Sequence, residues 1–165
     1  YVANWINDLR TLYSIAPMPK WFYPQDNLFH SIKTSGYKSA VVGNWPSLCG
    51  GIVPKEDVDF YGLLPQGGST EDTFLDNGVL ERTQEMLKLT ETDSSLRFIF
   101  SYFGAPDHIS HFASGGADSA EYRDSLIVVD KSLGTLMEAL DFSRDYLCIL
   151  SDHGNSDYGC GLYLC

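Results

Sequence analysis

Three short apolar runs constrain this chain most. They read SAVVG at 39–43, RFIFSYF at 97–103 and YLCILS at 146–151. They are rich in β-branched and aromatic residues and lack polar alternation. Strands of that kind are covered on both faces, the habit of parallel sheets. Parallel strands need helical crossovers, and the segments between these runs carry a helical period. DNLFHSIKTSGYK holds Leu28, Phe29 and Ile32, and Gly36 stands where a C-terminal cap is expected. STEDTFLDNGVLERTQEMLKL brings Leu75, Val79, Met86 and Leu87 near one face, with Ser69 or Thr70 as cap and Gly78 as a weak point. The strongest periodicity runs through DSAEYRDSLIVVDKSLGTLMEAL. There Tyr122, Leu126, Val129, Leu133, Leu136 and Leu140 recur every three or four residues, and Asp118 with Glu121 reads as a capping box. Residues 44–68, rich in Gly and Pro, read as one irregular loop. The expectation is an α/β fold: three αβα layers, a mostly parallel central sheet and helices on both faces, in one domain over residues 1–165.

Composition removes several function classes. A net charge of −11, with few and scattered Lys and Arg, is not a nucleic-acid surface. No apolar run reaches the roughly 18 residues of a membrane span. The chain opens on YVANWINDLR, without Met or a signal peptide, so a mature domain or a fragment is expected. Of the four cysteines, Cys148 lies in YLCIL and is expected to be a buried thiol. Cys160 and Cys165 lie close enough to pair in an oxidising compartment, and Cys49 has no CxxC partner.

Ligands of open α/β sheets bind beyond the carboxyl ends of the strands. Two clusters stand there: PDHISH after RFIFSYFGA, and SDHGNSD after YLCIL. Three of the four histidines fall in these clusters. Carboxylate oxygen and imidazole nitrogen together suit Zn²⁺ and Mn²⁺. Asp107 and His111 are four apart, so on a turn leaving a strand both reach one ion. His108 then points elsewhere, to the surface or toward substrate. Asp152 and His153 are adjacent, and Gly154 frees the backbone so that they diverge and serve two nearby ions. Asn155 is a candidate contact for a phosphate oxygen. His30 in its helix reads as structural or surface, Trp45 and Pro46 as loop packing, and Asp124 and Asp157 as solvated carboxylates.

With these motifs in place, residues 25–163 resemble the alkaline phosphatase superfamily of metal-dependent phosphoesterases and sulfatases. The resemblance rests on GYKSAVVGNWPS, the Asp-x-x-x-His of PDHISH, the helix VDKSLGTLMEAL and SDHG. It implies an alkaline phosphatase-like catalytic domain, here partial, with two divalent metal ions: zinc, or alternatively manganese or calcium. Asp107 and His111 would hold one metal and Asp152 and His153 the other. A Thr, Ser or formylglycine nucleophile would attack phosphorus or sulfur, but residues 1–24 offer no match to the strand that carries it. The family also supplies a histidine after SDHG, where this chain reads YGCGLYLC, with Cys160. The paired DH-x-x-H is similar to nucleotide pyrophosphatase/phosphodiesterases and to ethanolamine-phosphate transferases, and DHGN to cofactor-independent phosphoglycerate mutases. Sulfatases carry a lysine in a GKW segment, whereas this chain has Asn44 in GNW. The resemblance therefore implies hydrolysis or transfer of a small phosphodiester or phosphomonoester. The alternatives are a sulfatase, a mutase-like or transferase-like enzyme, and a truncated relative without catalysis. A secretory or membrane-anchored ectodomain setting is favoured over the cytoplasm, and oligomeric state is left open.

Overall fold

Strand β1, Lys38–Gly43, is the element around which the rest is laid. Ser39, Ala40, Val41 and Val42 are fully buried in it, as expected for a strand with neighbours on both edges and helices on both faces. The computed structural model describes residues 27–45, 48, 53, 55–64 and 72–154. Strand β2, Phe60–Leu63, pairs in parallel with one edge of β1, and β3, Leu96–Tyr102, with the other. The order is β2-β1-β3. In register, Val41 stands between Tyr61 and Phe100, and Val42 between Gly62 and Ser101.

Each face of this sheet has its own cover. Helix α1, Leu28–Thr34, brings Phe29 edge-on to Phe98 and Phe100, with ring centroids 5.5 and 6.3 Å apart. Val41, Val53 and Val58 form the core there, with Phe29, Tyr61, Phe100 and Tyr102 around them. Burying a valine of this kind is worth roughly 1.5–3 kcal/mol. Asn27 caps α1 by accepting from the His30 amide at 2.9 Å. The helix ends as the sequence anticipates. Gly36 takes a left-handed φ of 81°, and the amides of Gly36 and Tyr37 donate to the carbonyls of Lys33 and Ile32, a Schellman closure. His30 is structural: its Nδ1 lies 3.1 Å from Oδ1 of the buried Asp57, which ties α1 to the short 3-10 turn Lys55–Asp57.

Helix α2, Asp72–Thr92, covers the opposite face. Asp76, Val79 and Thr83 are its buried stripe, and Thr83 Oγ1 meets Ser101 Oγ of β3 at 2.7 Å. Gly78 is there for contact, since a Cβ at that position would lie 2.9 Å from Leu64 Cδ1. The expected caps Ser69 and Thr70, and the side chain of Leu75, lie outside the described residues. Two more helices follow β3: α3, Ala105–Phe112, and α4, Ala120–Glu138. No described helix is long and apolar enough to cross a membrane.

The structure departs from the sequence expectations in several places. The supposed loop 44–68 contains β2; only pairing with β1 makes a strand of FYGL, which has no apolar run of its own. Residues 146–151 form no strand. A strand needs a ladder, none forms there among the described residues, and Tyr146, Ile149 and Leu150 are exposed. Cys148 is accordingly an exposed free thiol, not a buried one. The cap of α4 is Ser119, whose side chain accepts from the Tyr122 amide at 3.1 Å, so Asp118 and Glu121 form no capping box. The packed face of α4 is also rotated. Ser125, Ser132 and Leu136 are buried while Leu126 is 43% exposed. The serine hydroxyls return to the carbonyls of Tyr122 and Val128, so these small side chains are buried without an unmet polar group.

Candidate metal centre

β3 ends at Tyr102 and α3 begins at Ala105. The PDHISH segment, expected as a turn, is therefore a helix. Pro106 sits in its first turn, where a missing N–H costs nothing, and Asp107 faces the positive end of the helix dipole. The N-cap residue, Gly104, has no side chain to offer. A carboxylate from α2 takes its place. Asp76, fully buried, accepts from the Gly104 amide at 3.1 Å and from the Ala105 amide at 3.3 and 3.2 Å. Asn44, at the end of β1, donates Nδ2 to Asp76 at 2.7 Å and accepts from the Gly104 amide at 3.0 Å. Asn44 is thus committed inward and only 4% exposed. It does not stand in for the GKW lysine of sulfatases.

Helical spacing sets Asp107 and His111 on one side of α3, with Oδ1 and Nε2 3.4 Å apart. The second motif arrives at the same place. His153 Nε2 lies 3.7 Å from Asp107 Oδ1 and 3.7 Å from Asp152 Oδ2. Asp152 and His153 therefore converge rather than diverge, and His153 bridges the two motifs. His153 Nδ1 lies 3.2 Å from the Gly154 carbonyl. With Nδ1 as the donor, Nε2 keeps the lone pair a metal would require. His108 lies on α3 but packs its ring edge-on against Phe112, at 4.9 Å. Asn155, Cys49, Cys160, Cys165, Pro46 and Asp157 lie outside the described residues. Trp45 packs on Tyr102, with centroids 5.6 Å apart, and Asp124 is exposed.

Does this cluster fit a divalent ion? The donors are two carboxylates and two imidazoles, the set zinc and manganese accept. Tetrahedral zinc with bonds near 2.1 Å separates neighbouring donors by roughly 3.4 Å, close to the distances about Asp107 Oδ1. That oxygen makes no hydrogen bond; the Nε2 atoms of His111 and His153 approach it, and the Asp107 side chain as a whole is 32% exposed. Among the described residues no three His, Cys, Asp or Glu side chains form a metal cage. The contacts are pairwise: His111 with Asp107, Asp107 with His153, and His153 with Asp152.

Asp76, Asn44 and Gly104 were not foreseen as parts of this region. One signal was present: Asp76 shares the three-then-four spacing of Val79 and Thr83, which places a carboxylate on the buried stripe of α2.

Comparison with known proteins adds one positive finding. Residues 3–161 match the family model for type I phosphodiesterase / nucleotide pyrophosphatase. No curated protein and no solved structure gives a significant match.

Proposed function

The chain belongs to the type I phosphodiesterase / nucleotide pyrophosphatase family, within the alkaline phosphatase superfamily, and from that membership we propose that it hydrolyses phosphoric esters through a two-metal site. Asp107 and His111 hold one divalent cation, Asp152 and His153 the other, and zinc is the favoured ion. The observation that carries this reading is Asp107 Oδ1: a buried carboxylate oxygen without a hydrogen bond, approached by the Nε2 atoms of His111 and His153.

When bound, such ions stabilise the charge gathering on the phosphoryl oxygens and orient the ester. The chain's own contribution is placement. Helix α3 fixes the Asp107 and His111 donors, and the Gly154 carbonyl holds the His153 ring. The Asp107 and His153 side chains are 32% and 20% exposed, so a small ester can reach them from solvent.

The test is hydrolysis of bis(p-nitrophenyl) phosphate and p-nitrophenyl phosphate by the protein in zinc-containing buffer. Turnover is expected to stop on EDTA addition and to fall at least tenfold in Asp107→Ala or Asp152→Ala, about the loss that follows removal of a group supporting a metal. Undiminished turnover in EDTA, or in both variants, would overturn the proposal.

A further inference from the structure

Asp76 has no part in the ligand set, yet it is fully buried at the root of α3. Its carboxylate accepts from Asn44 Nδ2, the Gly104 amide and the Ala105 amide. The two amides are among the orphan N–H groups of a helix start, and the N-cap glycine cannot satisfy them. The carboxylate comes from α2, Asn44 from the end of β1, and the amides from the end of β3. Three elements are therefore pinned at one point, directly before Asp107. Gly104 is required at that point, since a Cβ there would lie 2.8 Å from Asn44 Oδ1 and 2.9 Å from Tyr102 Cε1.

We propose that Asp76, fastened by Asn44, is a positioning residue that sets the start of α3 and so holds Asp107 and His111 in the geometry that binds a divalent cation. The inference rests on the metal reading of that pair. Asp107 lies one helical step beyond the amides Asp76 receives, so a shift of the helix start carries its Oδ1 away from His153. Outer supports of this kind change metal affinity by about 10- to 100-fold when removed.

The pairing of an amide with a carboxylate permits a test by exchange. In Asp76→Asn the side chain gains an N–H₂ facing the Ala105 amide. In Asn44→Asp two carboxylates face each other. The double variant Asn44→Asp/Asp76→Asn restores one carboxylate and one amide with the donor between them. Two readouts are taken on the whole chain: amide hydrogen exchange over residues 104–112, and Co²⁺ affinity with the visible absorption of the bound ion. Both single variants are expected to lose exchange protection in α3 and at least tenfold in Co²⁺ affinity, and the double variant to recover both. Wild-type protection and affinity in Asp76→Asn would overturn the inference, as would lost protection with unchanged affinity. Failure of the double variant to recover what the single variants lose would overturn it too. If wild-type protein binds no Co²⁺, while α3 protection still follows the exchange pattern, the metal reading fails and the positioning of α3 stands. Exchange is read without metal, so the two failures are told apart even if a single variant folds poorly.

Discussion

Gly104→Ala probes the junction on which the candidate centre is built. The backbone there has φ −96° and ψ −10°, a negative-φ conformation open to alanine, so left-handed strain plays no part. The cost is steric. The new methyl carbon would meet Asn44 Oδ1 at 2.8 Å and Tyr102 Cε1 at 2.9 Å. Neither neighbour yields easily. Asn44 is held by Asp76 at 2.7 Å, and the Tyr102 ring lies against Trp45. Inserting one carbon into such a contact costs about 1–3 kcal/mol. For a chain of this length each kcal/mol moves Tm by about 2–4 °C. A fall of roughly 4–8 °C is expected for a cost near the middle of that range. The matched control is Gly134→Ala in α4, where an added Cβ has no neighbour within 4 Å. That change removes a helix-interior glycine and is expected to stabilise by about 0.5–1 kcal/mol. Thermal unfolding followed by circular dichroism measures both. A Gly104→Ala melt less than about 1 °C from wild type would refute the steric reasoning.

Three further outcomes are expected. Ser119→Ala removes the cap of α4 and should lower stability by about 1 kcal/mol, read from the urea midpoint at constant m-value. The Lys38 ammonium first, then Ser95, holds the Asp93 carboxyl down from 3.8 to about 2. A carboxyl so depressed stabilises the fold above its unfolded pKa, and that contribution fades as pH drops from near 4 toward 2. Asp93→Asn should therefore melt below wild type at neutral pH, with the gap closing by pH 2. Cys148 should be alkylated by iodoacetamide in the native protein, because its thiol is free and exposed; mass spectrometry of the intact folded state shows whether it is.

The parallel sheet was legible at β1 and β3 because their burial leaves an unbroken apolar signature in the sequence. β2 was not, because FYGL becomes a strand only through its ladder to β1. The converse failed at YLCILS, whose composition promises a strand and whose residues pair with no strand among the described residues. In α4 the apolar stripe was visible, but the buried side includes Ser125 and Ser132, whose hydroxyls bond back to the helix's own carbonyls. The closeness of Asp107, His111 and His153 was foreshadowed by their residue types and spacing. Their supports were not: an aspartate on a helix and an asparagine after a strand look solvated until tertiary structure turns them toward the same two amides.

The most direct measurement is the zinc content of the purified protein after loading and exhaustive dialysis, compared with Asp107→Ala, His111→Ala and His153→Ala. If Asp107 and His111 hold one cation and His153 helps hold the other, wild-type protein retains zinc and each variant loses part or all of it, while circular dichroism shows the fold preserved. Equal zinc in wild type and all three folded variants, or none in wild type, would contradict the assignment.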